Sequence, residues 1–199
     1  MQVLLWLENL ISSQRLLVDL EDASNRISTL VNAIKSHVQM DRTNEMQLTN
    51  IHQDIDTTLT LLGHKLREKN ISVIKNYCDD LRDIPAFVGE LNQVWTNIID
   101  NAIFALDKNG EIKIETTCSN KEVVVRIIDN GNGIPKDIIT RIFDPFFTTK
   151  KVGQGTGIGL DLVSRIIKRH EGEIKVNSEP GRTEFIVCLP FNITETKNQ

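Results

Sequence analysis

The sequence predicts an α+β fold in two layers, a mixed sheet with helices on one face, preceded by a helical segment. Two observations lead there. After about residue 50, short alternating runs such as Val123 to Ile128 recur among apolar stripes with helical spacing, in the order α, β, α, β, β, α, α, β, β. Ahead of residue 50 there is only helical periodicity, with no strand for those helices to cover.

The elements follow in chain order. Val3 to Ile11 is apolar and helical in character, and Leu16, Leu20, Ala23, Ile27, Leu30, Val31, Ile34 and Val38 form a second amphipathic stripe. With no sheet beside them, these stripes are expected to bury their faces in a helical hairpin or a bundle with a second copy of the chain, so a homodimer through residues 1–41 is expected. The first stripe begins almost at Met1 without a capping signal, from which upstream sequence of a longer protein is expected. Asp41 to Asn50 is polar and linker-like, which places a boundary between a helical segment, 1–45, and a globular domain, 46–191; a polar tail, 192–199, follows.

Within the domain, Ile51, Ile55, Leu59, Leu62 and Leu66 mark one helix that Asn70 ends. Ile71 to Tyr77 alternates as a strand, and Pro85 opens a short extended piece. Glu90 to Leu106 is a helix with Leu91, Val94, Trp95, Ile98, Ala102 and Ala105 on one face. Ile112 to Thr116 and Val123 to Ile128 are strands joined by a Ser119-Asn120-Lys121 turn. A short helix between two glycine-rich loops, a longer one from Ile158 to His170, and a hairpin of Glu173 to Asn177 and Glu184 to Leu189 around Pro180-Gly181 complete the order.

Composition narrows the function. The chain has 199 residues, 40% hydrophobic and 25% charged, with a net charge of −4 and no basic stripe beyond Lys150-Lys151 and Lys168-Arg169-His170, so nucleic acid and acidic membrane surfaces are demoted as partners. No apolar run approaches a membrane span, and no secretory leader is legible. Cys78, Cys118 and Cys188 lack C-x-x-C spacing and read as buried or incidental thiols, which sets an expectation of a reducing, cytoplasmic compartment. The P-loop, G-x-G-x-x-G and G-x-S-x-G patterns are absent, and the four histidines show no zinc spacing.

Four segments carry chemistry. Asn97 and Asn101 are i, i+4 neighbours in mid-helix, either a solvated pair or two carboxamides offered to a hard cation such as Mg²⁺. Asp129-Asn130-Gly131-Asn132-Gly133-Ile134-Pro135 ends an apolar strand. It is either an Asn-Gly turn or a place where glycines admit a ligand while Asp129 accepts from an amino group such as that of adenine. Ile142 to Lys150 crowds Phe143, Phe146 and Phe147 together, as a satellite core or as the hinge of a mobile segment. Gly153-Gln154-Gly155-Thr156-Gly157-Ile158-Gly159-Leu160 opens a helix, as a flexible linker or as a phosphate cradle of backbone N–H groups, with Lys150 or Lys151 adding charge.

In this order the four segments resemble the N, G1, F and G2 boxes of the ATP-binding domain shared by sensor histidine kinases, type II topoisomerases, mismatch-repair ATPases and heat-shock chaperone ATPases. The Pro145-Phe146-Phe147-Thr148-Thr149-Lys150 run looks most like the nitrogen-sensor type of kinase, and residues 16–41 look like the second helix of a kinase dimerisation hairpin. The resemblance implies a Bergerat ATP-binding fold over about residues 50–190, with ATP and Mg²⁺ as cofactors. It implies that Asn101 holds Mg²⁺ with Asn97 beside it, and that Asp129 reads the adenine amine with water and Thr183. Gly131, Gly133 and Ile134 would admit the base; the phenylalanines, Phe147 included, would anchor a lid from about Phe147 to Gly155. Gly155, Thr156, Gly157, Gly159 and Leu160 would cradle the phosphates, and Lys150 would reach the terminal one.

The hydrolysing relatives carry a glutamate where this chain has Asn97, and a carboxamide cannot take a proton from water, so phosphoryl transfer to a histidine and relay to a response regulator receiver domain is the implied activity. Asn97 and Lys150 are then its catalytic candidates. No His followed by Glu or Asp occurs in residues 1–50; His37 reads as a packing or solvated residue, and His170-Glu171 as structural. The acceptor is therefore expected outside this chain. A nucleotide-gated interaction module, or an ATPase that phosphorylates no histidine, is the alternative.

Overall fold

A computed structural model of the chain describes residues 45–150 and 155–191. The expected dimerisation segment, except for its last residue, lies outside the described residues, as do His37 and the polar tail. Among those described, no helix is long and apolar enough to cross a membrane.

The first helix, α1 (Ile51–Leu61), starts at Asn50, whose side-chain oxygen accepts the His52 and Gln53 N–H groups at 3.0 and 3.3 Å. The stripe read as one helix breaks at Leu62 and resumes as α2 (Gly63–Glu68). Leu62 and Leu66 stay buried across the break, because the stripe reports burial and not backbone continuity. The central helix α3 (Val88–Ala105) puts Leu91, Val94, Trp95, Ile98 and Ile99 wholly out of solvent, each such burial contributing roughly 1.5–3 kcal/mol. Its C-terminal carbonyls are closed by Lys69, whose ammonium donates to Ile103 O at 2.8 Å and Leu106 O at 2.7 Å.

Two short strands, β1 (Gln47–Thr49) and β3 (Ile84–Ala86), pair antiparallel with Leu48 opposite Pro85. The linker expected over 41–50 thus contains a strand, too short for its alternation to register. The main sheet orders β2 (Ser72–Asn76), β4 (Glu111–Cys118), β5 (Glu122–Asp129), β7 (Arg182–Pro190) and β6 (Glu173–Glu179) as β2-β4-β5-β7-β6. Only the β2–β4 pair is parallel. Ile114, Ile127, Phe185 and Val176 lie in register across four strands on the face that meets the helices. The expected α+β sandwich with a mixed sheet is the observed one.

Helix α4 (Gly159–Arg169) packs on α3, and the far ends of the two are locked. The Glu90 carboxylate pairs with the Arg169 guanidinium, and the fully buried His170 donates from Nδ1 to Ile166 O at 2.8 Å while Nε2 accepts the Phe87 N–H at 3.1 Å. Burial holds His170 below its ordinary pKa, so it sits neutral in this lock as a structural residue.

Two expectations fail. The short helix between the glycine loops is instead a run of turns, with Ile138 N bonded to Pro135 O, Arg141 N to Ile138 O and Asp144 N to Arg141 O, between Pro135 and Pro145, neither of which can donate a main-chain hydrogen bond. Cys78 and Cys118 are not separate thiols: parallel pairing of β2 with β4 brings them together as a disulfide, leaving Cys188 free.

Candidate functional site

The end of the sheet next to the helices changes character. One row beyond Ile114 and Ile127, the inward positions are Ile112 on β4, Asp129 on β5, Thr183 on β7 and Ser178 on β6, each directly opposite its neighbour. An apolar face thus ends in a polar row. Asp129, 3% exposed, accepts the Gly131 N–H at 3.0 Å, and burial pushes its carboxyl up to about 6 against that hydrogen bond. Thr183 and Ser178 share a hydrogen bond at 2.9 Å, and Ser178 Oγ accepts the Ile134 N–H at 2.8 Å.

The turn carrying Gly131 and Gly133 is strapped on two sides. Gly181 N–H donates to Gly131 O at 3.0 Å, and Asn132 N–H reaches Ala105 O, at the end of α3, at 3.4 Å. Gly133 has φ +78°, and a side chain there would meet Glu179 O at 2.5 Å, so this turn requires glycine.

Above the row lies a cleft of about 930 Å³ lined by α3, the turn, residues 147–150 and the start of α4. Lys151 and the middle of the expected lid, 151–154, lie outside the described residues; of the other residues expected to bind nucleotide or cation, all line the cleft except Gly131, which lies behind the wall, where a Cβ would stand 2.6 Å from Ala105 O. Its glycine serves the packing of the turn and does not face the cleft.

Asn97 and Asn101 project from one face of α3 into the cleft. The Asn97 Nδ2 is buried with no hydrogen-bond partner among the described residues, and Asn101 Oδ1 accepts from the Lys150 ammonium at 3.0 Å. Lys150 also lies 4.2 Å over the Phe104 ring, and burial lowers its pKa while Asp100 opposes the shift. Asp100 itself pairs with Lys65. Gly155, Thr156 and Gly157 lead into α4, whose start has no side-chain cap, so its first N–H groups remain for a ligand. Gly157, at φ +67°, runs against the backbone of Phe146, where a Cβ would meet the carbonyl carbon at 2.3 Å.

The three phenylalanines do not act as one cluster. Phe143 and Phe147 pack against the core, whereas Phe146 has φ +65° and is 71% exposed, its backbone lying against Gly157. Residues missed from the sequence are Ser178, which only the β6–β7 register brings to the row, and Asp100, Phe104 and Phe185, which line the cleft but read locally as ordinary helix and strand positions.

The residues present fit a nucleotide with its cation. A buried carboxamide nitrogen awaits an acceptor, a carboxamide oxygen already receives a cationic head group, and an uncapped helix start faces the same space. A strand-end carboxylate at one end of the cleft offers an acceptor to an amino group, and a helix start without a side-chain cap among the described residues offers N–H donors to an anion at the other. The chain belongs to the histidine kinase-, DNA gyrase B- and HSP90-like ATPase family, whose model matches residues 88–193. It is 33% identical over 199 residues to the sensor kinase CckA of Brucella abortus, covering 91% of this chain and 21% of that protein. Against the sensory histidine kinase/phosphatase NtrB of Rhodobacter capsulatus it is 32% identical over 182 residues, 85% of this chain and 50% of that one. The chain therefore spans half or less of these two relatives. Among solved structures it resembles the catalytic domain of the histidine kinase ThkA, with a TM-score of 0.67 and 33% identity over 74% of this chain and 96% of that one. ThkA in complex with its response regulator protein TrrA aligns with a TM-score of 0.69 at 27% identity, over 85% of this chain and 49% of that one.

Proposed function

We propose that this chain is the ATP-binding catalytic part of a sensor histidine kinase, transferring the γ-phosphoryl group of ATP to a histidine supplied from outside the chain. The observation that carries the reading is the chemistry of the α3 face: Asn97 presents a buried carboxamide, and the nearby carboxylate, Asp100, is engaged by Lys65. Nothing on that face is set to take a proton from water, while transfer to an imidazole needs mainly alignment and charge neutralisation. In this reading Asp129 and Thr183 hold the base, Gly155, Thr156, Gly157, Gly159 and Leu160 hold the phosphates, and Lys150 leaves Asn101 for the terminal phosphate. Asn101, with Asn97, would hold Mg²⁺, which when bound neutralises charge on the phosphates. The unprotonated imidazole nitrogen then forms its bond to the γ-phosphorus as the bond to the β,γ-bridging oxygen breaks; ADP leaves with that electron pair, and the other ring nitrogen gives up its proton.

Dimerisation through residues 1–41, relay to a receiver domain and a cytoplasmic setting complete the proposal; the setting rests on the availability of ATP there and not on the cysteines, two of which are paired. The complex of the similar ThkA with a response regulator supports the relay. The test is calorimetric titration with a non-hydrolysable ATP analogue, with and without Mg²⁺. Labelled ATP follows, with a histidine-bearing dimerisation hairpin supplied in trans. Acid-labile label on the hairpin is expected. Phosphate release without labelled protein, or binding without either, would favour the ATPase or nucleotide-gated alternative.

A further inference from the structure

The polar row at the sheet end contains one group that the proposed function leaves idle. Asp129, Thr183 and Ser178 stand side by side in register on three strands, and Ser178 is the outermost. Its hydroxyl oxygen accepts the Ile134 N–H at 2.8 Å and lies 2.9 Å from Thr183 Oγ1. A hydroxyl has one hydrogen to give, and for Ser178 the partner at hand is Thr183.

The direction of that bond matters. If Thr183 gave its hydrogen to Ser178, its remaining lone pairs would face the pocket beside the Asp129 carboxylate, two electron-rich groups adjacent in a buried row. If Ser178 gives, the Thr183 hydrogen is left free to turn into the pocket, which keeps its lone pairs off the neighbouring carboxylate and is the electrostatically favoured arrangement. A purine whose amino group faces Asp129 carries a ring nitrogen acceptor, N1, next to that amine on the same edge. The adjacent hydroxyl then meets N1 as a donor, directly or through water.

We propose that Ser178 is a positioning residue for base recognition: by accepting from Ile134 N–H and donating to Thr183, it holds the Thr183 hydroxyl as a donor toward N1 of adenine, while pinning the turn that walls the base. This rests on the nucleotide-binding reading of the cleft. Inosine, which carries a hydrogen on N1, meets donor against donor. Ser178 thereby contributes to the preference for adenine without touching it.

The test measures binding of ADP, 1-deaza-ADP (in which N1 is a C–H) and IDP to the full chain, unaltered and as Ser178→Ala and Ser178→Thr. Ser178→Ala is expected to weaken ADP about 5-fold, the scale of one hydrogen bond, and to weaken 1-deaza-ADP less than about 2-fold. The ADP:IDP ratio should narrow, and Ser178→Thr should restore both ADP affinity and the ratio. An equal loss for ADP and 1-deaza-ADP would mean that Ser178 only supports the turn and would overturn the inference. So would unchanged ADP affinity in Ser178→Ala. Failure of the unaltered chain to bind ADP at all would overturn the nucleotide reading, and this inference with it.

Discussion

The two ends of the cleft are built differently. At the base end, Asp129, Thr183 and Ser178 are fixed by strand register, and the glycine turn beside them is tied to α3 and to the β6–β7 turn by main-chain hydrogen bonds. At the phosphate end, Lys150, Gly155, Thr156 and Gly157 sit in loop, and the contacts that place them are a side-chain bond to Asn101, a Thr148 hydroxyl on Lys150 N–H and the Phe146 backbone. The difference teaches that, in the proposed reading, base selectivity would be set by the folded sheet, while the phosphate contacts would rest on a few side-chain and loop contacts that a ligand can replace.

The largest expected effect comes from Asp129→Asn, which should weaken ATP about 100-fold because a charged acceptor for the amine becomes a carboxamide. The same variant should melt no lower than the parent at pH 7. Burial raises the folded-state pKa of Asp129 to about 6, so the ionised form costs the fold stability as pH rises through that value, and the neutral amide escapes the cost. Calorimetric binding and a thermal melt check both halves; a collapse in melting temperature would refute the sheet-held picture.

Next is Asn101→Ala, expected to remove most of the Mg²⁺ enhancement of ATP binding, about 10-fold, while Mg²⁺-free binding changes little. Equal enhancement in variant and parent would take the cation off α3. A smaller effect is pH dependence: because the ionised Asp129 is a stronger acceptor for the amine than the neutral carboxyl group, ATP affinity should fall several-fold as pH drops through about 6. Inorganic tripolyphosphate, which has no base but whose terminal phosphates also take up protons at about pH 6, reports the phosphate share, and ATP should fall further than it does. The smallest contrast is between two glycines at positive φ. Gly133→Ala, set against a carbonyl in the strapped turn, should lower the melting temperature by about 2–6 °C, and Gly157→Ala by less, its cost appearing in ATP affinity instead.

Much of this site was legible because its chemistry is written in contiguous stretches. Asn97 and Asn101 share a helix face by spacing alone, and Asp129 to Ile134 and Gly155 to Leu160 are each one contiguous stretch, a strand end running into a loop and a loop running into a helix. What escaped was whatever depends on partners far apart in the chain. Ser178 meets Ile134 across 44 residues and looks like any strand serine locally. The Cys78–Cys118 pair needed the parallel β2–β4 register, across a separation of 40. Strand order β2-β4-β5-β7-β6 was likewise invisible, since alternation reports a face and not a neighbour. The break after Leu61 was missed because burial continues across it at Leu62 and Leu66, and hydrophobic periodicity responds to burial; the run after Pro135 is mostly exposed up to Ile142, so no apolar stripe there reports the backbone.

The Pro180-Gly181 turn joining β6 and β7 is an exposed hairpin tip, the sort of place where chains ordinarily tolerate inserted residues or a fused domain. Here the tip is part of the pocket wall: Gly181 N–H holds Gly131 O, and Glu179 O closes over Gly133. An insertion there would leave the hairpin paired and the core intact while detaching the turn that walls the base. A site that looks safe for grafting by its exposure is therefore among the least permissive on the molecule for nucleotide binding.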